Sequence, residues 1–254
     1  MTNNRERLGF RDGEKGAHSS RTIMLAELAT LLGAAPADAH RSRMRELVLD
    51  ENLLGKRSAA NRHNSFRHLS ELYGLDAAMP AYRIFRRLWG EDAGGRPLLA
   101  LLCAVARDPL LRASTDLVLD LAPGAGVDWR AFAATVDRPL APTTLKSIGQ
   151  NLASSWTQAG FLSGVMIKTR AQARATPGAA TYALALGFME GGRGGMLLST
   201  AWTRLLDIPA DGVLSLVQQA SRRGWVEYRA AGDVIDLRVD AWFTDEERGW
   251  CDGR

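Results

Sequence analysis

The sequence has only two cysteines, Cys103 and Cys251, and they lie far apart in the chain. This excludes a disulfide-stapled scaffold and a Cys-rich zinc site, both of which need several cysteines at characteristic spacings. We expect Cys103, inside the apolar segment PLLALLCAV, to be a core residue. The low cysteine content is typical of a protein that works in a reducing cytoplasm.

Long hydrophobic runs are also missing. The longest, Pro97 to Ala106, is half of what a bilayer span needs, and Arg107 and Asp108 close it. We therefore expect no transmembrane helix and no membrane partner. Residues 1–20 lack the apolar segment of a secretory signal, and their polarity and glycines predict a mobile tail, with the fold starting at about Arg21.

The sequence motifs that mark common active sites are absent. There is no P-loop, no GxGxxG after a strand, no HExxH and no GxSxG, and the GGRGG run lacks a strand–turn–helix context. His63 and His68 are five residues apart, off the spacing that places two ligands on one helix face. We therefore expect no catalytic residue, metal, cofactor or small-molecule substrate, and we expect the histidines to be polar surface residues.

Acidic side chains are missing between Arg138 and Met189, although the chain has 28 acidic residues in all. The net charge is +5 over residues 1–89, −3 over 90–137, +5 over 138–193 and −3 over 194–254. Two separated basic segments are typical of a protein with a polyanion partner. A GC-rich coding bias could supply many of the 28 arginines, which stand against four lysines, but it does not explain their clustering.

Helical periodicity dominates the chain, and strand patterns occur only in its second half. The predicted fold is mainly α, with a helix-turn-helix-like N-terminal bundle and winged-helix-like units that carry short β-hairpins. The predicted divisions are a helical N-terminal domain at 21–137, a basic winged-helix-like unit at 138–190, C-terminal helices with a β-hairpin at 196–240, and a tail at 241–254.

The segment PTTLKSIGQNLASSWTQAG predicts one amphipathic helix. Leu145, Ile148, Leu152, Trp156 and Ala159 form its buried stripe, and Gly160 ends it. Its opposite face is almost uncharged, although short hydroxyl and amide side chains lower helix propensity. Hydrogen bonding to base edges and phosphates is one reason for such a face. The candidate nucleic-acid-binding residues here are Thr143, Thr144, Lys146, Ser147 and Gln150.

The following segment, VMIKTRAQARA, alternates as a half-buried strand does. The alternation predicts that Lys168, Arg170, Gln172 and Arg174 point to one side of the strand. We expect Lys168, Arg170 and Arg174 to contact phosphate. A helix followed by a short hairpin with a basic strand is a winged helix-turn-helix pattern.

A second basic helix is predicted to start at the N-cap Ser58, with Ala59, Phe66, Leu69 and Tyr73 on its buried face and Gly74 at its end. Such a helix could enter a major groove N-terminus first. The alternative is an ordinary solvated helix with one or two structural arginines. Its candidate nucleic-acid-binding residues are Lys56, Arg57, Asn61, Arg62, Asn64 and Arg67.

The C-terminal part repeats the order of helices followed by a hairpin. Helices are predicted at Met196 to Leu206 and Asp211 to Arg223, and GWVEYRAAGDVIDLRVD reads as two strands. Asp233, Asp236 and Asp240 make this second wing acidic, so we expect it to pack on protein.

Three stretches resemble a known family: VLDENLLGKRSAANRHN, LAPTTLKSIGQNLASSWTQAGFL and RGWVEYRAAGDVIDL. Together they resemble the BrxA family of bacterial BREX phage-exclusion systems, from about Arg21 to Val239. The resemblance implies a mostly helical protein that binds double-stranded DNA. It also implies partners within a phage-defence complex that contains a methyltransferase, an ATPase and a phosphatase-like member.

The leading hypothesis is therefore a non-enzymatic component of a phage-defence system that binds double-stranded DNA. The alternatives are a stand-alone winged-helix transcription regulator and a protein–protein scaffold whose basic faces meet acidic partners. RNA binding is also left open by the sequence.

Overall fold

The computed structural model describes residues 4–232 and 234–253, and within them the chain is 59% helix and 6% strand. The α-helices are α1 Asn4–Leu8, α2 Leu25–Ala34, α3 Arg41–Leu49, α4 Ala59–Tyr73, α5 Pro80–Glu91, α6 Arg96–Arg107, α7 Pro109–Ala113, α8 Thr115–Leu119, α9 Trp129–Ala133, α10 Pro142–Gln158, α11 Pro177–Met189, α12 Ala201–Arg204, α13 Ala210–Arg222 and α14 Asp245–Cys251. The strands are β1 Gly126–Val127, β2 Leu162–Ser163, β3 Lys168–Arg170, β4 Glu227–Ala231 and β5 Val234–Arg238. The prediction of a mainly helical fold is confirmed.

Two helices, α6 and α11, form the centre of the core. Every residue of α11 is buried, and so is every residue of α6 from Leu98 to its end. Helices that are apolar on all sides need neighbours on all sides, and α4, α5 and α13 supply them. Within the described ranges, no helix has both the length and the apolarity to cross a bilayer.

The N-terminal bundle contains the predicted Ser58 cap. The Ser58 Oγ accepts a hydrogen bond from the Asn61 backbone N–H at 3.2 Å, and Gly74 ends α4 with φ +80°, which an L side chain rarely adopts. Phe66 is buried on the inner face as predicted, but Ala59 is exposed. The buried stripe of α4 therefore starts at Ser65, about two turns later than the sequence pattern predicts.

The middle of the chain forms a helix-and-hairpin unit from α8 to β3. Its three short strands make an antiparallel sheet in the order β1-β3-β2. Helix α10 crosses α9 so closely that a Cβ at Gly149 would lie 2.2 Å from the Trp129 carbonyl oxygen, so only glycine permits this crossing. This packing fixes α10 against the helix that precedes it.

A second unit with a similar order runs from α11 to β5, with α12, α13 and the β4–β5 hairpin. Both long helices end on a glycine with positive φ, Gly160 and Gly224. An aromatic residue follows each glycine and donates its backbone N–H to the carbonyl five residues back, Phe161 to Trp156 and Trp225 to Ala220. Both units therefore have helices followed by a hairpin, the order that the sequence predicts.

The segments predicted as tails at both ends pack into the core, so that prediction is wrong for the residues described. Leu8, Phe10 and His18 are buried. At the other end, α14 opens with a Thr244–Glu247 capping box. Burial raises the pKa of the Glu247 carboxyl, but the Arg83 guanidinium, 2.7 Å away, and the hydrogen bonds from Thr244 together outweigh burial, so the net shift of this pKa is downward.

A buried contact joins the N-terminal segment to the rest of the molecule. The Asp108 carboxylate, between α6 and α7, lies 3.0 Å from the His18 Nδ1 and accepts hydrogen bonds from the backbone N–H groups of His18, Leu110 and Leu111. The His18 Nε2 is 2.8 Å from the Ser155 Oγ in α10. Three distant parts of the chain therefore meet at one polar cluster.

We expect Asp108→Asn to lower the free energy of unfolding at pH 7 by about 2 kcal/mol, because backbone donors lose a charged acceptor. Burial raises the pKa of Asp108, but His18 and the backbone N–H groups lower it more, so the net shift is downward. A lowered pKa stabilises the fold above the unfolded value of about 4, and the benefit is lost as the pH falls through the lower folded value. Urea unfolding at pH 7, 5 and 3 measures this.

The control is Asp116→Asn, which removes the charge of an exposed carboxylate paired with Arg204 and should change stability by less than about 1 kcal/mol. A difference between Asp108→Asn and the parent protein that stays constant down to pH 3 contradicts this account of Asp108.

Candidate nucleic-acid interface

Helix α10 presents four of the predicted residues on one exposed stripe. Thr143, Lys146, Ser147 and Gln150 are exposed, at spacings of three and four residues, whereas Thr144 is half-buried. Ile148, Leu152 and Trp156 hold the opposite face in the core. The stripe carries one charge, and the Lys146 Nζ lies 6.0 Å from the centroid of the Trp129 ring.

Further along α10, the polar side chains bind the protein itself. Asn151 donates to the His18 carbonyl at 3.0 Å, and the Gln158 Oε1 accepts from the Leu25 backbone N–H at 3.1 Å. The Ser155 Oγ accepts from the Ile23 backbone N–H at 2.9 Å. The N-terminal half of the uncharged face of α10 is therefore exposed to solvent, whereas the polar side chains further along the helix bond to the N-terminal segment of the chain.

The predicted cationic strand face is wrong at its centre. Arg170 is buried, 8% exposed, with its guanidinium Nη2 2.5 Å from the Asp207 Oδ1. The physical reason is topological: β3 is the middle strand of its sheet, and Arg170 faces inward over the Phe161 ring at 5.4 Å. Asp207 comes from the chain after α12, so no local pattern could show this pairing.

The other strand residues do not form one row. Lys168 is half-buried, and its Nζ donates to the Gly164 carbonyl at 2.8 Å. The strand ends at Arg170, so Gln172 and Arg174 lie beyond it; Gln172 donates to the Asp207 carbonyl at 3.0 Å, and Arg174 is exposed beside Gly94. The alternation predicted the strand but not its inner and outer faces.

The tip of this hairpin is apolar, which the sequence reasoning did not single out. Val165 and Met166 are each 87% exposed and Ile167 is 69% exposed. The signal was present as three apolar residues directly after Gly164, a turn glycine with φ +92°. The wing therefore offers a bare apolar tip with Lys168 at its base.

The α4 surface is also only partly free. The Lys56 Nζ is 3.1 Å from Glu27, and an Arg67 Nη is 2.9 Å from Glu71. Arg62 is half-buried, with an Nε that has no hydrogen-bond partner. The exposed members of the predicted set are Arg57, Asn61, Asn64 and Arg67. Lys56 and Arg67 therefore have carboxylate partners within the molecule that offset their charge, and nucleic-acid binding by this face stays a prediction.

Two of the histidines are also not surface residues. His18 and His68 are buried. Burial lowers the pKa of His68, and the neighbouring Arg67 lowers it further, so that this ring is neutral at physiological pH. Among residues 4–232 and 234–253 there is no group of three or more His, Cys, Asp or Glu side chains that could hold a metal ion.

Two adjoining cavities beside α4 gather arginines that the sequence reasoning did not connect. The first has a volume of about 530 Å³ and the second about 430 Å³, and they share Arg11, Arg67 and Glu71 in their walls. We call them together the arginine trench. Its cationic lining consists of Arg41, Arg45 and Arg107 in the first cavity, Lys15 and Arg138 in the second, and the shared Arg11 and Arg67.

The second hairpin is balanced in charge where it is described. In the β4–β5 register Glu227 lies opposite Arg238 and Arg229 opposite Asp236, and Asp236 is also 3.1 Å from the Arg238 Nε. Asp233, one of the residues behind the prediction of an acidic wing, lies outside the described residues.

Comparisons of this chain with protein-family models, with curated proteins and with solved structures find no match. The resemblance to the BrxA family therefore stays a prediction.

We expect Arg170→Ala to lower the free energy of unfolding by about 3 kcal/mol, because it leaves the largely buried Asp207 carboxylate without its cation. Arg174→Ala removes the same charge from an exposed position and should change stability by less than about 0.5 kcal/mol. Urea unfolding of both variants measures the difference. Equal stability of the two would show that the Arg170–Asp207 pair does not hold the hairpin in place.

Proposed function

We propose that this chain is a non-enzymatic protein that binds double-stranded DNA through a winged helix-turn-helix unit, with α10 as the helix that enters the major groove. One observation carries the proposal. The exposed stripe of α10 belongs to a unit whose elements follow the order helix, strand, helix, helix, hairpin, and whose three strands form a sheet in the order β1-β3-β2. This order is that of winged helix-turn-helix domains, in which the second helix of the turn reads base edges.

The chemistry of the α10 stripe supports this use. Gln150 can form paired hydrogen bonds with an adenine edge, and the hydroxyls of Thr143 and Ser147 can donate to or accept from bases and phosphates. Lys146 supplies a phosphate contact. Since Arg170 is buried and paired, phosphate contacts beside the helix fall to exposed cations such as Lys146 and Arg174 and to Lys168 at the wing base.

The sequence resemblance to the BrxA family adds a biological role to the proposed DNA binding. A BREX-type phage-defence component would use such a domain to bring its partner proteins to DNA, in a cytoplasmic setting. A stand-alone regulator would use the same surface, but it would bind a palindromic operator as a dimer. Selection of bound sequences from a random pool distinguishes the two, because a defence component should return no strong palindrome.

We expect Lys146→Ala with Gln150→Ala to weaken duplex binding about tenfold at moderate salt, because one phosphate contact and one base-edge contact are lost. A gel shift or fluorescence anisotropy titration measures the affinity. The matched control is Gln218→Ala with Arg222→Ala, which also removes one glutamine and one cation four residues apart, on exposed positions of α13. An equal loss in both double variants, or no loss in the first, contradicts the assignment of α10.

We expect the affinity of the unmodified protein for duplex to fall roughly 10³-fold between about 50 and 200 mM salt, as about six neutralised phosphates require. The measurement is the same titration at four salt concentrations, with single-stranded DNA and RNA as parallel probes. An affinity that does not change with salt would remove the proposal.

A further inference from the structure

The arginine trench contains far more positive than negative charge. Its lining has seven cationic residues, six of them arginines, and one carboxylate, Glu71. That carboxylate is already held by Arg67 at 2.9 Å and by the His68 ring at 3.2 Å. Elsewhere on the molecule, arginines such as Arg83 and Arg204 lie against carboxylates. The trench is thus a concentration of uncompensated charge in a chain whose formal net charge is only +4.

The side chains of the trench are positioned to bind an anion. Arg41 and Arg45 lie one turn apart on α3, and both are exposed with no ion pair within the described ranges. Arg11 is half-buried, and its Nη1 is buried without a hydrogen-bond partner. Arg107 is buried and donates to the backbone carbonyls of Gly9, Ser70 and Glu71, and it forms no ion pair with a carboxylate of residues 4–232 or 234–253.

The low dielectric around the buried Arg107 strengthens the electrostatic field of its charge. Burial lowers the pKa of Arg107, and like-charge repulsion from the nearby Arg11 makes a small contribution in the same direction. A bound anion relieves this repulsion. Concave sites lined by one sign of charge focus the field and attract the opposite charge. Guanidinium groups match the oxygens of phosphate in paired hydrogen bonds.

The shape of the trench favours a run of phosphates over a single small molecule. The cationic groups are spread through two joined cavities rather than around one point. A nucleotide site would also need an open ring face for the base, but Phe66, the largest aromatic side chain in the lining, is buried and covered by Arg41 at 5.6 Å. The lining of the second cavity includes Arg138 and Leu140, just before Pro142 starts α10. The trench therefore leads to the start of the proposed DNA-reading helix.

We propose that the arginine trench is a second binding track, which holds the sugar–phosphate backbone of the duplex next to the segment that α10 reads. This inference rests on the proposed DNA binding, and it adds a longer footprint. It also gives a role to Arg11, Arg41, Arg45 and Arg138, which the winged-helix surface does not use.

The test compares two duplexes, one of about one helical turn (~10 bp) and one of about three turns, with the full chain. We expect Arg41→Ala with Arg45→Ala to weaken binding of the long duplex at least tenfold. The slope of log affinity against log salt should fall by about 1.8, as two lost phosphate contacts require. Binding of the short duplex should stay unchanged. Arg222→Ala with Arg229→Ala removes two exposed arginines elsewhere and should change neither.

Each other outcome has a defined meaning. If the parent protein binds both duplexes and the Arg41/Arg45 variant binds the long one equally well, the trench inference is overturned and the proposed function stands. If the parent protein binds neither duplex, both are overturned. Calorimetry with ATP tests whether the trench binds the phosphates of a free nucleotide instead. If the Arg41/Arg45 variant loses ATP binding but binds the long duplex as tightly as the parent protein does, the inference of a backbone track is overturned. Circular dichroism and urea unfolding confirm that each variant is folded.

Discussion

The buried Asp108 carboxylate is the contact on which the arrangement of the rest depends. It meets His18 from the N-terminal segment and caps α7, while the His18 ring reaches Ser155 on α10. A carboxylate at 1% exposure is tolerated only because its oxygens have donors on several sides. Gly16 is part of the same fit, since a Cβ there would lie 2.1 Å from the Asp108 Oδ1. Residues more than 130 positions earlier in the chain therefore help to fix the position of α10 and of the candidate interface that it carries.

The elements whose signals are local could be predicted from the sequence. The stop of α4 at Gly74, its Ser58 cap and the whole of α10 follow from capping chemistry and a 3.6-residue period. The pairing of charges could not be predicted in this way. Arg170 and Asp207 are 37 residues apart, and Lys56 and Glu27 are 29 apart, so the net charge of a segment does not show which cations are left free.

The burial of the N-terminal segment could not be predicted from a local sequence pattern either. Residues 4–20 look polar and glycine-rich, but Leu8 and Phe10 are buried, and the Phe10 ring lies 5.9 Å from that of Trp202. Two apolar residues in a polar segment are too few for a periodic pattern. They become core residues only because helices that are distant in the sequence form the cavity into which they pack.

Arginine has a structural use in this chain that composition alone does not show. Arg86 donates to the carbonyls of Leu32 and Ala35 at the end of α2, and Arg193 donates to the Phe188 carbonyl at the end of α11. A guanidinium at a helix C-terminus satisfies carbonyls that have no partner within the helix and offsets the negative end of the helix dipole. Many arginines therefore serve as caps. Those of the trench differ because several of them have neither a carboxylate nor a carbonyl to bind.

The docking of α1 has a consequence for synthesis on the ribosome. The Arg5 guanidinium lies 2.8 Å from Glu190, a residue 185 positions later, and Arg7 lies over the Trp250 ring. At about 5–20 residues per second, translation takes roughly 10–40 s to bring the first of these partners into existence. Throughout that interval α1 has α5 as a neighbour but not α14, so its packing stays incomplete while the chain is being made.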